Sequence, residues 1–368
     1  MAPLLTAASE ALTPSPALLL LWDRVEENLQ RMIALAGDPA RLRPHLKTHK
    51  LPQIVARQVA LGITRCKCAT IAEAEMAAAA GARDVLLAAP LIGPSAARFL
   101  ALQAAFPAVA FAALADDDQA LTALSAAALA ASQQVTLLLD LDVGQGRTGL
   151  PPDARAAAFY RRLAGLPGLS AGGLHAYDGH LHQADPVERA AACEAAFAPV
   201  AALRAQLEAE GYSVPLLVVG GTPTFPMHAR RPRVECSPGT CVLWDVGYAT
   251  HLPDLDFLPA AHLLTRVISR PRPDRLTLDL GHKAVASEMP HPRVVFPALP
   301  DAQVVMHNEE HLVLQTSRAA DFPVGSVLYG IPWHICPTMA LHSHVLVAQA
   351  SKPLAAWPIA ARARQLTF

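Results

Sequence analysis

Gln134-Val-Thr-Leu-Leu-Leu-Asp-Leu-Asp-Val-Gly144 is an apolar run of strand length, and an amphipathic, alanine-rich segment follows it at residues 152–166. A continuous apolar run followed by a helical segment is typical of a parallel strand buried on both faces. The same two patterns alternate along residues 17–250, with apolar runs at 17–22, 42–50, 63–70, 84–91, 108–114, 169–179, 215–221 and 234–245. This alternation predicts about eight βα units, and therefore an α/β fold built on a TIM-like (β/α)8 barrel. An open doubly wound sheet is the alternative.

The pattern changes after Tyr248, where short strand-like runs are separated by Pro, Gly or Asp. Such spacing predicts a β-rich second domain with mainly antiparallel pairing. We therefore expect a barrel over residues 15–250 and a β-rich domain over residues 251–368, on which residues 1–14 pack.

The composition excludes several classes of partner. The 368 residues carry a formal net charge of −1, which indicates neither a nucleic-acid nor a membrane partner. The N-terminus has no basic region, and its apolar run at residues 17–22 is too short for a signal core or a membrane span. Six scattered cysteines indicate reduced thiols rather than a disulfide framework. We expect a soluble, cytoplasmic protein.

The stretch Arg41-Leu-Arg-Pro-His-Leu-Lys-Thr-His-Lys50 holds two of the five lysines in the chain. On a strand, Arg43, His45, Lys47 and His49 would share one face. A lysine inside a barrel and beside other cations favours the neutral amine that Schiff-base chemistry requires. The alternative is a solvated basic strand end.

Two glycine-containing turns follow the last predicted barrel strands, at Gly220-Gly-Thr222 and at Gly239-Thr240. The loops after the seventh and eighth strands of a TIM barrel commonly bind phosphate through backbone N–H groups. Glycine is also what any tight turn requires, so each turn alone is weak evidence. Arg147 ends another glycine-rich turn and is a candidate for binding a phenolate or a carboxylate, unless it is simply solvated.

His334 and Cys336 are two residues apart, so on a strand their side chains would point the same way. An imidazole and a thiolate suit a zinc-like ion, and two protein ligands leave positions open for water and substrate. A buried histidine near a free cysteine is the alternative. The loop after the predicted strand at 169–174 supplies Tyr177, Asp178, His180 and His182 as acid–base candidates; the alternative for its histidines is a solvent-exposed loop.

Taken together, the motifs RPHLKTHK, CATIAEAE, DVGQGRTG, GLHAYDGH, GGTPT, DLGHKA and PWHICPT resemble the D-threonine aldolase and D-serine dehydratase family. That family is related in fold to the N-terminal barrel of alanine racemase. The resemblance spans nearly the whole chain and implies a homodimer that uses pyridoxal 5′-phosphate (PLP) and a divalent metal (Zn, Mn or Mg). It implies a β-hydroxy-D-amino acid as the small-molecule substrate.

The resemblance also implies residue roles. Lys47 would carry PLP, and Arg147 would lie beside its ring. From the motifs themselves, His45 and Tyr177 are further candidates for binding the cofactor, and Tyr177 and His182 are candidates for catalysis beside Lys47. The PLP phosphate would lie near Gly220, Gly221, Thr222, Gly239 and Thr240, and the metal would be bound by His334 and Cys336. In this family His-x-Asp accompanies aldolases and His-x-Cys accompanies the dehydratase, so this chain departs from the aldolase pattern. A tyrosine found in several relatives is replaced by Cys241.

Two outcomes follow for the reaction. Retro-aldol cleavage to glycine and an aldehyde is favoured narrowly, and dehydration of D-serine or 3-hydroxy-D-aspartate to a 2-oxo acid and ammonia is the alternative. An amino-acid racemase would need no metal, so His-x-Cys argues against it. A non-catalytic PLP carrier would lack the β-rich domain.

Overall fold

The computed structural model describes residues 4–349 and 352–368, which form two compact units. The barrel unit consists of Met32–Gly239 and Ala363–Phe368, and the sheet unit consists of Met1–Arg31 and Thr240–Arg362. The predicted domain limits at residues 15 and 250 remain predictions. Along the chain, the two compact units are divided after Arg31, after Gly239 and after Arg362. No helix in the described part of the chain is both long enough and apolar enough to span a membrane.

The N-terminal segment contains α1 (Ala7–Leu12), β1 (Ala17–Leu21) and α2 (Trp22–Ala36). Its strand β1 was expected to be the first strand of the barrel, and this expectation is wrong. Leu19 pairs antiparallel with His262 and parallel with Leu346, so β1 lies inside the sheet of the sheet unit. Its apolar side chains would suit either environment, and long-range pairing decides between them.

The barrel unit follows the predicted alternation. Its strands are β2 (Arg65–Cys68), β3 (Asp84–Pro90), β4 (Ala110–Ala115), β5 (Val135–Leu141), β6 (Leu169–Ala176), β7 (Leu216–Val219) and β8 (Glu235–Cys236). Its helices are α3 (Pro52–Ala60), α4 (Ile71–Ala79), α5 (Pro94–Ala105), α6 (Asp118–Ala130), α7 (Ala154–Gly165), α8 (Pro186–Ala209) and α9 (Phe225–Ala229).

All seven strands of this sheet run parallel, in the order β2 to β8. Residues 42–45 take the eighth position, because Leu42 bridges to Cys236 in β8 and His45 bridges to Lys67 in β2. The ring of strands is thereby closed, and the predicted TIM-like barrel is confirmed.

The interior of the barrel has an apolar layer and a charged one. Leu86, Leu114, Leu138 and Val218 pack together in its core. Arg43 is fully buried near the amino ends of the strands, where it forms ion pairs with Asp84 and Glu235.

The sheet unit contains α10 (Val246–His251), β9 (Ala261–Arg272), β10 (Arg275–Leu278), β11 (Val294–Val295), β12 (Gln303–His307), β13 (Leu312–Gln315), β14 (Val327–Pro332), α11 (Ile335–Leu341), β15 (His344–Gln349) and β16 (Lys352–Pro358). With β1 these strands form a nine-stranded sheet within the described residues, and apart from β1–β15 the pairs are antiparallel. The prediction of a β-rich second domain is confirmed. The N-terminal segment packs on this sheet, since Arg266 donates hydrogen bonds to Ser15 and to the Glu10 carbonyl.

Candidate functional site

A cavity of about 240 Å³ opens in the barrel unit at the carboxyl ends of the strands. Catalytic groups of TIM barrels come from this end, because the loops there are free to carry them. The lining residues come from β2 to β6 and the turns beside them: His45, Lys47, Lys67, Ala69, Ala88, Ala89, Pro90, Leu114, Asp140, Arg147, Thr148, His175 and Tyr177. Four residues predicted to bind the cofactor, His45, Lys47, Arg147 and Tyr177, therefore meet in one cavity.

Tyr177 is the centre of a cluster of cations. The Lys47 Nζ lies 5.9 Å from its ring centroid, the Lys67 Nζ 5.3 Å and the Arg147 guanidinium carbon 5.1 Å. Each distance is within the range of a cation–π contact. Three positive groups around one ring make the cavity a site for an anionic ligand.

Lys47 reaches the cavity by a route that the strand pattern did not predict. Residues Leu46–Thr48 form a 3-10 turn, and His45 caps it by accepting a hydrogen bond from the Lys47 N–H. The expectation that Arg43, His45, Lys47 and His49 share one strand face is therefore wrong, because the turn ends the alternation. His49 is buried outside the cavity lining, and its Nδ1 accepts from the Leu51 N–H.

A hydrogen-bonded chain runs along the cavity wall. Lys67 Nζ lies 3.4 Å from His175 Nε2, His175 Nδ1 lies 2.7 Å from Asp140 Oδ1, and Thr148 donates to Asp140 Oδ2 at 2.8 Å. Burial and the nearby Lys47 charge lower the pKa of Lys67 to about 7. Burial raises the pKa of Asp140, but the contacts with His175, Thr148 and Lys67 together outweigh burial and the net shift is downward.

Sequence reasoning missed Lys67. The sequence offers little that singles it out, because its strand also contains Arg65 and because Asp140 and His175, which determine its surroundings, are distant in the sequence.

The predicted phosphate turns lie beside the cavity residues. A Cβ on Gly221 would come within 2.9 Å of the Tyr177 ring, and one on Gly239 within 3.2 Å of the His45 Cβ. The Gly239 N–H donates to Thr222 Oγ1 at 3.2 Å, so the two turns are joined within the barrel unit. Glycine at both positions therefore lets the backbone pack closely against Tyr177 and His45, which line the cavity.

Asp178 follows β6 and is hydrogen-bonded to residues just after the first of these turns. Thr224 donates to Asp178 Oδ1 at 2.8 Å, and His228 Nε2 lies 2.8 Å from Asp178 Oδ2 and 3.4 Å from Cys193 Sγ. Burial opposes the charge on His228, but the bonds to Asp178 and Cys193 raise its pKa to about 9.

Asp178, Cys193 and His228 are all buried, and their ligand atoms are close enough together to hold a metal. Their hydrogen bonds also satisfy them as an ion pair. Cys193 and His228 had no sequence signal, because they come from helices distant in the sequence.

The predicted metal ligands lie in the sheet unit. His334 precedes α11 and Cys336 lies in its first turn, so the expectation of a strand is wrong here. Their side chains nevertheless contact each other through a hydrogen bond. His334 Nδ1 lies 2.6 Å from Glu288 Oε1, and Thr240 Oγ1 lies 3.6 Å from Cys336 Sγ.

The Glu288 contact fits a metal-binding imidazole, because it leaves Nε2 for the metal. Thr240, predicted near the phosphate, belongs to this unit by its contacts.

His180 and His182 follow Tyr177 in an irregular loop. A Cβ on Gly144 would come within 3.0 Å of the His180 Nε2, so His180 lies over the glycine-rich turn after β5. His182 is exposed and is not among the residues that line the cavity. Its role as a base stays a prediction.

Known proteins share both parts of this chain. The family described as "Alanine racemase, N-terminal domain" matches residues 22–244, and the family described as "Putative serine dehydratase domain" matches residues 260–348. A D-threonine aldolase from an Arthrobacter species is 34% identical over 355 residues, which cover 95% of this chain and 92% of that protein. A 3-hydroxy-D-aspartate aldolase from Paracoccus denitrificans (strain Pd 1222) is 27% identical over 380 residues, which cover 98% of this chain and 95% of that protein.

The crystal structure of a D-threonine aldolase from Filomicrobium marinum has a similar fold. It matches with a TM-score of 0.89 and 28% identity, over 96% of this chain and 97% of that one.

Proposed function

Because the chain belongs to the alanine racemase N-terminal domain family of PLP-dependent enzymes, we propose that it is a PLP- and metal-dependent lyase of β-hydroxy-D-amino acids. The proposed reaction is retro-aldol cleavage to glycine and an aldehyde. The observation that carries the proposal is the similarity to a D-threonine aldolase along 95% of the chain.

The proposed cofactor site is the cavity around Tyr177. Lys47 would supply the amine that bonds to the cofactor, and Arg147 would be available to bind its phenolic oxygen, since a guanidinium stays charged and forks onto oxygen. Bound there, PLP supplies an electron sink for the electron pair that bond cleavage leaves on Cα. The phosphate is proposed to lie on the backbone of Gly220, Gly221, Thr222, Gly239 and Thr240.

The proposed metal site is His334 and Cys336. An imidazole nitrogen and a thiolate are ligands that zinc and similar divalent ions accept. Glu288 accepts a hydrogen bond from the His334 Nδ1–H and so leaves Nε2 as the ligand atom. A metal bound there supplies Lewis acidity that makes the substrate β-hydroxyl easier to deprotonate.

The β-hydroxyl proton needs an acceptor. Tyr177 and His182 are proposed for this acid–base work, and the position of Tyr177 in the cavity wall supports its part. A cytoplasmic homodimer is also proposed. The free thiols of all six cysteines are consistent with a reducing compartment, whereas the dimer rests on the family resemblance alone.

Dehydration to a 2-oxo acid and ammonia is the second candidate. The match of residues 260–348 to a putative serine dehydratase domain favours it, as does the cysteine in the His-x-Cys pair. A thiolate donates more charge than a carboxylate and so makes the metal a weaker Lewis acid. Expulsion of hydroxide in the dehydration needs a strong Lewis acid, so the weaker acidity favours the aldolase reaction.

Product analysis separates the two. The purified protein, loaded with PLP and Mn²⁺, is incubated in parallel with D-threonine, D-phenylserine, D-serine and 3-hydroxy-D-aspartate, and products are identified by mass spectrometry. Glycine with an aldehyde supports the aldolase. A 2-oxo acid without glycine would establish the dehydratase instead.

Replacement of Lys47 tests the cofactor site. Lys47→Ala is expected to lose the visible absorbance of bound PLP, because no amine remains at that position to bond to it. Lys283→Ala is the matched control, since Lys283 is an exposed surface lysine paired with Glu309 and Glu310. Lys50 is a poor control, because it pairs with the buried Glu73. A Lys47→Ala protein that keeps the band would refute the assignment.

A further inference from the structure

Lys67 is a buried amine that the proposed function does not use. It lies on β2 with 1% of its surface exposed, and its Nζ faces the cavity 5.3 Å from the Tyr177 ring centroid. Lysine is almost never fully buried without a charged partner, because desolvating an ammonium group is costly. The hydrogen-bond partner of this amine is the imidazole of His175, not a carboxylate.

The hydrogen bonds of His175 define how the two groups share protons. His175 Nδ1 donates to Asp140 Oδ1 at 2.7 Å, so Nε2 carries the lone pair and accepts from Lys67. Asp140 is in turn held by Thr148. This chain fixes the imidazole and leaves Lys67 able to hold a proton or to release it into the cavity.

The charges around Lys67 suit acid–base work near neutral pH. An amine whose pKa lies at about 7 is present in both forms at that pH, which is the condition for efficient proton transfer. The titratable and charged groups that surround it are Lys47, Arg147, His45, Asp140, Asp178, His175 and Tyr177. Purely structural filling of the barrel would need only an apolar side chain.

We propose that Lys67 is a second acid–base residue, which supplies the proton that Cα takes when the Cα–Cβ bond breaks. The inference rests on the proposed lyase function. In that step the β-hydroxyl gives its proton to a base, the oxygen forms the aldehyde C=O bond, and the electron pair of the broken bond goes to Cα. An N–H bond of Lys67 breaks and a C–H bond forms at Cα, so that glycine is released. Lys67 then regains a proton from solvent, and the base releases its proton to solvent.

Glycine itself provides the test, because the same residue would remove and return its α-proton without an aldehyde. The PLP-loaded enzyme is incubated with glycine in D₂O, and loss of the α-proton signal is followed by NMR. Lys67→Met is expected to slow the exchange by about 100-fold or more. Its PLP absorbance and thermal midpoint should stay close to those of the wild type, and Lys283→Met should exchange normally.

Lys67→Arg separates proton transfer from charge. Arginine keeps the positive charge but does not release a proton, so this variant should also fail to exchange. The wild-type exchange rate should rise with pH through about 7, because proton removal needs the neutral amine. That profile can be measured even if a variant does not fold.

Several outcomes would overturn the inference. Exchange by Lys67→Arg at the wild-type rate would reduce Lys67 to an electrostatic role, and loss of PLP absorbance in Lys67→Met would make it a cofactor-holding residue. Exchange by Lys67→Met at the wild-type rate would leave proton transfer to Lys47. Failure of the proposed function is separately visible, since a wild type that neither exchanges glycine nor forms it from D-threonine would not be an aldolase.

Discussion

Arg43 is a buried arginine whose removal should destabilise the barrel unit. Its guanidinium forms two parallel bonds to Asp84, at 2.7 and 2.8 Å, and a third to Glu235 at 2.5 Å. The arginine side chain is 1% exposed, that of Glu235 9% and that of Asp84 27%. Because Asp84 is on β3 and Glu235 on β8, the ion pairs connect strands on both sides of residues 42–45, which close the ring.

Replacing Arg43 by Met keeps the bulk but removes its positive charge from Asp84 and leaves Glu235 with its ion pair to Arg65. Breaking a buried pair in this way typically costs 3–5 kcal/mol, and the partial exposure of Asp84 favours the lower end, about 3 kcal/mol. For a unit of roughly 200 residues, that loss lowers the melting temperature by about 6–12 °C. The melting temperature of Arg43→Lys should lie between those of the wild type and Arg43→Met, because lysine keeps the charge but cannot form the two parallel bonds of a guanidinium.

The assay is urea unfolding followed by circular dichroism, with the thermal midpoint as a second measurement. Arg155→Met is the matched control, since Arg155 pairs with Asp153 on the surface with side chains 69% and 45% exposed. Its free energy of unfolding should change by less than about 0.5 kcal/mol. If Arg43→Met also stays within about 1 kcal/mol of the wild type, the buried ion pairs do not stabilise the barrel closure as argued.

Two further predictions concern titration and metal binding. The pKa of His228 is raised to about 9 in the folded protein, so its pairing with Asp178 stabilises fully below about pH 6.5 and is lost as the pH rises through 9. The free energy of unfolding should therefore fall by about 3 kcal/mol more in the wild type than in His228→Gln between pH 6.5 and 9, and equal slopes in urea titrations would contradict this. For the metal, a chelator should abolish turnover without unfolding the protein, and Glu288→Gln should weaken metal affinity by about 10-fold or more in a competition titration with a chromophoric chelator. Unfolding on chelation would instead indicate a structural site.

Much of the fold follows from local pattern. A parallel α/β barrel is indicated by the apolar runs of β3, β5 and β6 and by the amphipathic helices that follow them. Strands that are buried on both faces are apolar along nearly their whole length. Short runs broken by Pro, Gly and Asp likewise predict the β-rich part. His45, Lys47, Arg147 and Tyr177 were recognisable because each lies in a short motif, and the barrel brings strand ends together at one face.

The tertiary structure decided what depends on partners distant in the sequence. The run at residues 17–22 has the composition of a barrel strand, yet β1 pairs with β9 and β15, more than 200 residues away. Residues 42–45 occupy the eighth strand position of the barrel in place of β1. The 3-10 turn at Leu46–Thr48, and not the alternation of a strand, determines the direction of the Lys47 side chain.

The same holds for the cavity chemistry. Nothing local distinguishes Lys67 from a surface lysine, because its environment is made by Asp140 on β5 and His175 on β6. Periodicity along a chain reports which side of an element is buried. The charges that a buried group meets, and so its protonation, are decided only when separate elements pack.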